Sequence, residues 1–477
     1  MHKWKVYSCI AVPAFCLLMT SCKVPAITQA AENKTVPGVY GAGGDTSNMA
    51  AIPWRTFFTD KNLAKLIDTA LARNQELNST LQEIEMAKND VLFRQGRLRP
   101  SVSARLGVGV EKVGRYTSQG AGDASTEIKP GIEVPDVLMD YRPALYASWE
   151  VDIWKKLRTA KKAAITRYLA TIEGKNFVLT NLVAEVANSY YELLALDNQL
   201  EIVRQSIGLQ KNALEIVKIQ KEAAKATELA VKKFEAEVLK SQSMEFSILQ
   251  SINETENKIN FLLARYPQNI PRDKNNFLSA LPGLVSAGIP AQLLGNRPDI
   301  RKAELELAAA KLDVKVARAE FYPSLDITAA LGLQAFRPSY LVKLPESVLF
   351  SVAGDLAGPL INRAAIRAEF NNANARQIQA IFNYERSILN AYLEVATQLS
   401  KIDNVAKSYA LKAEQVAALT QSIDIANDLF KSARADYFEI LMTQRDALES
   451  KLELVDTKKD QLTAVVNVFR SLGGGWK

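Results

Sequence analysis

The feature that most constrains this chain is a long helical pattern that stops at a proline and continues at once as an alternating strand. Residues Gly288 to Ser324 read GIPAQLLGNRPDIRKAELELAAAKLDVKVARAEFYPS. The pattern predicts a helix that opens at Pro298 and must stop at Pro323. Beyond Pro323 the apolar period changes from 3.6 to 2. Leu325, Ile327, Ala329, Leu331 and Leu333 share one face, and Ser324, Asp326, Thr328, Ala330 and Gly332 the other. The chain makes this hand-over twice. Leu98-Arg99-Pro100-Ser101-Val102 matches Phe321-Tyr322-Pro323-Ser324-Leu325 at an offset of 223 residues. The strand after Pro100 sets Val102, Ala104, Leu106, Val108 and Val110 against Ser101, Ser103, Arg105, Gly107 and Gly109. A fixed offset of this kind marks an internal repeat. Each half reads helix, strand, loop, strand, then a very long helical hairpin.

The second strand of each half follows the same alternation. Leu145, Ala147, Trp149 and Val151 oppose Ala144, Tyr146, Ser148, Glu150 and Asp152, while Val348, Phe350, Val352 and Leu356 oppose Leu349, Ser351, Ala353 and Asp355. A Gly/Ser/Asp/Pro-rich loop of some thirty residues, ending at Asp140, separates the first pair. After each second strand no proline occurs for a long way, from Trp154 to Tyr266 and from Ile361 to Lys477. A helical arm of about sixty residues reaches on the order of 100 Å. The stripe Leu179, Leu182, Val183, Val186, Tyr190, Leu193 and Leu194 gives such an arm a packing face, with Lys and Glu opposite. Each arm turns back once, near Glu222 to Leu229 and near Lys431 to Phe438. Ahead of the first strand, Leu63, Leu66, Ile67, Ala70, Leu71, Leu77, Leu81 and Ile84 predict one amphipathic helix running towards Leu98.

Ten-residue strands with one apolar face suit a transmembrane barrel with a wet interior, although a soluble sheet with one solvated face alternates in the same way. Four strands cannot sit in lipid alone, because their edge amides would stay unpaired at several kcal/mol each. The pattern therefore predicts a closed multiple of four strands, eight in a dimer or twelve in a trimer.

The N-terminus predicts export. His2-Lys3-Trp4-Lys5 is a basic opening, Ile10 to Met19 an apolar core, and Leu18-Met19-Thr20-Ser21-Cys22 follows. This resembles a bacterial lipoprotein signal whose Cys22 is acylated and becomes the mature N-terminus. The apolar run is too short to span a bilayer. Loss of the leader removes Cys9, Cys16 and His2, so the mature chain has one cysteine and no histidine. That excludes an intrachain disulfide, histidine acid/base chemistry and the common zinc sites. Carboxylate-only hydrolysis stays open in principle, because Asp and Glu are plentiful, but nothing in their spacing suggests it, and the reading is no enzyme, no cofactor and no metal site. The formal charge of +7, or +5 without Lys3 and Lys5, comes with no basic block interleaved with aromatics, and so makes no case for nucleic acid.

GIPAQLLGNRPDIRKAEL with FYPSL, WEVDIWKKLR at 149–158, WRTFFTD at 54–60 and the terminal LGGGW at 472–476 together resemble the TolC-type outer-membrane efflux factors, in their lipidated NodT/OprM/CusC-like branch. The resemblance covers nearly the whole mature chain. It implies a membrane α+β fold with an internal two-fold repeat. Four transmembrane β-strands per chain build a shared, trimeric 12-stranded barrel that continues into long periplasmic coiled-coil helices. The implied function is the passive exit duct of a tripartite efflux system. Its partners would be further copies of itself, a periplasmic adaptor, an inner-membrane pump of RND type and outer-membrane lipid. The alternative is a structural coiled-coil lipoprotein, or an adaptor subunit without its own pore.

The expected organisation is a signal peptide at 1–21, a lipid-anchored tether at 22–59 and a first repeat at 60–267 with strands near 101–111 and 143–152. A linker at 268–295 leads to a second repeat at 296–477 with strands near 324–333 and 348–357. Family members often close the inner end of the tunnel with acidic side chains on the second hairpin, in the pattern GxxxYLxVLDAQ. Here Ala433 replaces the glycine, and Met442 stands where the aspartate is expected. Asp436 and Glu439, at i and i+3, are the gate candidates in its place. On the first hairpin Ala224 replaces the frequent turn glycine. Lys225, Glu228 and Arg434 are the candidate adaptor contacts. Arg297, Pro298 and Asp299 read as structural, with Pro298 opening a helix and Asp299 complementing its dipole.

Overall fold

The computed structural model describes residues 25–27, 31–40, 47–274, 277–278, 286–358, 364–431 and 436–476. Cys22 and Arg434 lie outside these residues. In chain order the main helices are α1 (Lys61–Arg73), α2 (Gln75–Gly96), α3 (Lys156–Glu222), α4 (Glu228–Leu262), α5 (Pro298–Ala319), α6 (Ala364–Lys431) and α7 (Tyr437–Ser471). The strands are β1 (Ser101–Glu111), β2 (Glu127–Lys129), β3 (Ile132–Glu133), β4 (Leu138–Val151), β5 (Ser324–Leu333) and β6 (Val348–Ala357). The long helices of the two halves match: α2 and α5 have 22 residues each, α3 and α6 have 67 and 68, and α4 and α7 have 35 each. Among the described residues no helix is long and apolar enough to cross a membrane.

The chain divides into two compact units. The first comprises Met1–Ala31, Met86–Tyr168 and Leu305–Ile381. Its centre is an antiparallel sheet in the order β1-β4-β5-β6. The register places Val102 opposite Ala147, Ala147 opposite Ala329, and Ala329 opposite Val352. All four apolar stripes therefore fall on one face of the sheet. That face is bare in the single chain, with Leu106 and Val352 each 77% exposed. An apolar surface of this extent marks contact with lipid or protein rather than water. Among the described residues no strand lies beside the outer edges of β1 and β6.

Two anchors fix how the strands meet the helices in this unit. The Asp152 carboxylate accepts from the N–H groups of Leu157 (2.9 Å) and Arg158 (2.9 Å), satisfying donors that α3 would otherwise leave open. Trp154 stacks on Tyr322 with centroids 4.8 Å apart, and its indole N–H donates to the Pro323 carbonyl at 2.7 Å. Both repeats are thereby tied together just below the sheet. Between β1 and β4 the chain is more ordered than a Gly/Ser-rich loop implies: it forms a helical turn at Ser118–Asp123 and the small β2–β3 hairpin. β4 begins at Leu138, ahead of the expected position near 143.

The second unit comprises Glu32–Glu85, Leu169–Glu304 and Phe382–Lys477. The stripe Leu182, Val183, Val186, Tyr190, Leu193 and Leu194 is buried there. The single helix expected from Leu63 towards Leu98 is instead two, broken at Asn74. The Asn74 side chain accepts from Leu77 N–H (2.9 Å) and donates to the Leu262 carbonyl (2.9 Å), so it caps α2 and ties it to the end of α4. Asp60 caps α1 by accepting from Asn62 N–H at 2.7 Å, and also accepts from the Tyr190 hydroxyl at 2.8 Å. Phe57 stacks on Phe469 with centroids 4.1 Å apart. The segment expected as a tether is docked where it is described. Asn33 N–H donates to Glu385, Lys34 pairs with Glu304, and Tyr40 stacks on Tyr392.

Arg297 is the buried tie of this unit. Its guanidinium donates to both Asp299 oxygens (2.9 and 2.7 Å), to Glu394 (2.8 Å) and to the Ser471 carbonyl (2.8 Å). Burial opposes its charge, but the hydrogen bonds and charges of Asp299 and Glu394 outweigh that and hold its pKa above the ordinary value. α7 stops beside it. Gly473 N–H donates to Arg470 O and Gly474 N–H to Phe469 O, both at 2.9 Å, with Gly473 at φ +87°. A Cβ at Gly473 would lie 2.6 Å from the Asn296 carbonyl, so the glycine serves both the turn and a close approach. Arg297→Ala is expected to lower the stability of the folded chain by about 3 kcal/mol, because it strands acceptors arranged for a buried cation. Arg297→Lys is expected to fall between wild type and Ala, since it keeps the charge but loses the fork. Thermal unfolding followed by circular dichroism checks the order.

Candidate functional site

The sequence places the candidate residues at the turns of the two hairpins, and the second unit shows how each is held. α3 ends in a left-handed cap. Ala224 sits at φ +58°, its N–H donating to Lys221 O (2.9 Å), and Lys225 N–H donates to Gln220 O (2.8 Å). This is the hydrogen-bond pattern that Gly473 completes for α7, built here on alanine. Thr227 then opens α4, its hydroxyl oxygen accepting from Ala230 N–H at 3.3 Å. Glu228, in the first turn of α4, pairs with Lys221 across the turn and lies 3.9 Å from Lys232. The hydrogen bond from the Lys221 ammonium holds the Glu228 carboxyl below its ordinary pKa. Lys225 stands exposed at the apex of the turn. Glu228 thus closes its own hairpin, whereas Lys225 projects from it.

On the second hairpin Asp436 occupies the position before α7 and makes no capping bond with its side chain. Its backbone carbonyl accepts from Glu439 N–H at 3.1 Å. Ile440 and Leu441 are buried in a cluster with Leu214 and Val217 of α3 and Ala230, Val231, Phe234 and Val238 of α4, with Tyr437 half-buried against it. These contacts fix the rotation of α7. With 437, 440 and 441 turned into the cluster, 439 lies on the opposite side of the helix. Glu439 is exposed in the first turn of α7, where the dipole favours a carboxylate, and Asp436 is exposed at the position just before it. Phe438 is covered from the first hairpin by Lys233, whose Nζ lies 5.0 Å from its ring centroid. Arg434, on the same turn, lies outside the described residues. Among the described residues no group of His, Cys, Asp and Glu could hold a metal ion.

Two features of this unit had little signal in the sequence. Asp197 on α3 is buried and holds Arg272, with Lys274 at 3.0 Å and Glu256 of α4 on the other side of Arg272. This network pins the segment that leaves α4, yet Arg272 and Lys274 sit in a stretch without periodicity. Gln210 is buried in α3 with neither amide atom bonded. Nothing in a heptad pattern distinguishes it from its solvated neighbours.

The alanine at the turn of the first hairpin carries a measurable cost. A left-handed L-residue is disfavoured by about 1–2 kcal/mol, part of which a glycine loses again to chain entropy. Ala224→Gly is expected to stabilise the turn by about 1 kcal/mol, slowing amide exchange around residues 220–230 by roughly fivefold. Hydrogen–deuterium exchange with mass spectrometry reads this directly.

The sequence profile of the outer membrane efflux protein family matches residues 66–265 and 289–474, covering both repeats. The chain is 27% identical over 464 residues to the pyoverdine export outer membrane protein OpmQ of Pseudomonas aeruginosa, spanning 97% of this chain and 96% of that one. It is 27% identical over 465 residues to the solvent efflux pump outer membrane protein SrpC of Pseudomonas putida, again spanning 97% and 96%. The crystal structure of the open state of the Neisseria gonorrhoeae MtrE outer membrane channel superposes with a TM-score of 0.81 at 21% identity, covering 95% of this chain and 98% of that one.

Proposed function

Because this chain belongs to the outer membrane efflux protein family, we propose that it is a lipid-anchored exit duct served by an RND-type inner-membrane pump and gated at its inner end by Asp436 and Glu439. The chain is an outer-membrane channel of an efflux system, extending into the periplasm, and works as a trimer with a periplasmic adaptor and an inner-membrane pump. Conduction through it is passive, and the pump supplies the energy. This is a family of channels rather than enzymes. The observation that carries the reading is the register of the sheet, which gathers four apolar stripes on one face and the small or polar residues on the other. With lipid on the first face, the second lines an aqueous bore.

The gate assignment rests on placement. Glu439 lies in the first turn of α7 and Asp436 just before it, both exposed while Ile440 and Leu441 enter the apolar cluster. A threefold copy brings six carboxylates around one axis where a family aspartate is absent and Met442 stands. Such a ring favours cations and resists anions. Glu439→Gln and Asp436→Asn are each expected to lower cation selectivity, and the double variant to lower it further. Single-channel recording in planar bilayers under a salt gradient measures the reversal potential. An unshifted potential in the double variant removes the gate assignment while leaving the duct intact.

Lysines at the first turn fit the adaptor. Lys225 stands free of the hairpin's own ion pairs among the described residues, whereas Glu228 is engaged by Lys221. Lys225, with Arg434, is therefore the better candidate for a charged contact, and Glu228 a support for the turn. The lipid anchor rests on the Leu18-Met19-Thr20-Ser21-Cys22 sequence. Cys22→Ser is expected to abolish incorporation of labelled palmitate in cells. Detection of undiminished label in that variant places the acyl group elsewhere.

A further inference from the structure

Where the helices leave the sheet, their charged residues fall on two sides, and only one side is balanced. Arg94 and Arg97 of α2, Lys156 and Ala160 of α3, and Val316 and Glu320 of α5 line one groove. Glu150, on the polar face of β4, pairs with Lys156 and lies 3.9 Å from Arg97, so this groove is on the bore side. Its cations are answered there. Lys156 is also 3.6 Å from Glu320, Arg94 is 3.3 Å from Asp90, and Arg167 pairs with Asp313. A helix turns by about 100° per residue, which carries Lys161 and Lys162 of α3, and Lys315 and Arg318 of α5, away from that groove. Arg99, just past α2, and Arg367, in the first turn of α6, are exposed as Lys162 and Lys315 are. Among the described residues none of these six has a carboxylate partner, and the Arg318 Nε has no hydrogen-bond partner. The carboxylates nearest in sequence to α3 and α6, Asp152 and Glu369, are held by Arg158 and Arg376.

Position and charge together narrow what meets this surface. Lys162, the farthest of the α3 pair, is eleven residues beyond β4, which puts it about 15 Å below the sheet. That depth spans a headgroup layer about 5–8 Å thick and one Debye length of about 8 Å beyond it. Long Lys and Arg side chains reach such a layer from below. No counter-charge comes from the rest of this unit's chain nearby, because residues 1–31 and 358–363 contain no Asp or Glu. The other end of the sheet differs: residues 111–137 and 334–347 carry five Lys or Arg against six Asp or Glu. The surplus is therefore confined to the end from which the helices leave. It is also spread over α2, α3, α5 and α6, which suits an extended anionic surface better than the footprint of one peptide.

We propose that Arg99, Lys161, Lys162, Lys315, Arg318 and Arg367 form a basic collar that holds the phosphate headgroups of anionic phospholipids in the periplasm-facing leaflet. The inference rests on the outer-membrane orientation given above. The test reconstitutes the purified full-length trimer in phosphatidylcholine vesicles with trace spin-labelled phosphatidylglycerol or phosphatidylcholine. Electron spin resonance reads the share of each label immobilised at the protein. Phosphatidylglycerol is expected to be favoured roughly fivefold, the equivalent of about one cation at an anionic surface. The preference is expected to fall towards unity at about 1 M salt, where the Debye length is about 3 Å. Combining Lys161→Gln, Lys162→Gln, Lys315→Gln and Arg318→Gln is expected to remove most of it, whereas Lys112→Gln with Arg115→Gln, at the other end of the sheet, keeps it. Both variants should retain heat-modifiable trimer migration and wild-type conductance, and if the fourfold variant fails to assemble, the Lys161/Lys162 pair alone decides. A preference that is absent in the wild type, unchanged in the collar variant, or lost equally in the control overturns the collar; the first of these leaves the cations to an acidic protein face. Conductance in the same vesicles separates the two readings. A conducting channel indifferent to phosphatidylglycerol refutes only the collar, whereas a trimer without conductance refutes the duct and the collar with it.

Discussion

An open sheet edge in lipid is the constraint on which the rest of this structure depends. β1 and β6 are 11 and 10 residues long, and among the described residues each has one side without a partner strand. About half the backbone groups of such a strand point outward, and each unpaired group in hydrocarbon costs several kcal/mol. The total exceeds the net stability of an ordinary domain, about 5–15 kcal/mol. The cost vanishes only when β6 of one copy meets β1 of the next and the ring closes, a heterologous contact with rotational symmetry. The repeat shows how that contact is made. β4 ends the first repeat's pair and β5 begins the second's, and they pair antiparallel within the chain. The β4–β5 seam is therefore an internal version of the β6–β1 seam between chains.

Closure in turn demands that the helices leave the sheet in fixed directions. Asp152 and the Trp154–Tyr322 stack do this in the first unit, using a cap and an aromatic pair rather than a broad interface. In the second unit, the corresponding task is to hold helix ends that arrive from distant parts of the sequence. Arg297 does so by satisfying the Ser471 carbonyl at the end of α7 while held by Asp299 and Glu394. A guanidinium is suited to this place because it serves three acceptors in one plane. Gly473 lets the chain end pass within contact of Asn296. RPD and LGGG, far apart in sequence, are thus two sides of one joint.

Periodicity made much of this legible. The hand-over from a 3.6 to a 2 period at Pro100 and Pro323 located β1 and β5, because an amide-less residue cannot continue a helix and a one-sided strand must alternate. The hairpin turns were expected near 222–229 and 431–438 because each long arm must turn back once, and α3 ends at Glu222 and α6 at Lys431. The break at Asn74 was not, since a cap in the middle of an uninterrupted stripe leaves the hydrophobic pattern untouched. The β2–β3 hairpin was hidden because Glu127 to Glu133 carries too few apolar residues to show a face. The sequence read residues 22–59 as a tether between lipid and the folded body; composition does not name the contacts of such a segment, because in its described part they are single pairs such as Tyr40 on Tyr392. The functional candidates divided along the same line. Chemistry at a turn can be named from residue type, but Glu228 and Lys225 are told apart only by the ion pair that one of them makes.

The same logic bears on the acidic face at the second hairpin. Ile440 and Leu441 commit α7 to the apolar cluster, while Glu439 and the preceding Asp436 stay exposed. The helix dipole favours a carboxylate at this end of α7. In the gate we propose, each added copy would present the same pair to the same axis, and repulsion within such a ring would work against the apolar contacts that hold the helices together. Attraction within each chain would then be set against repulsion between chains, as a closure that must also open requires.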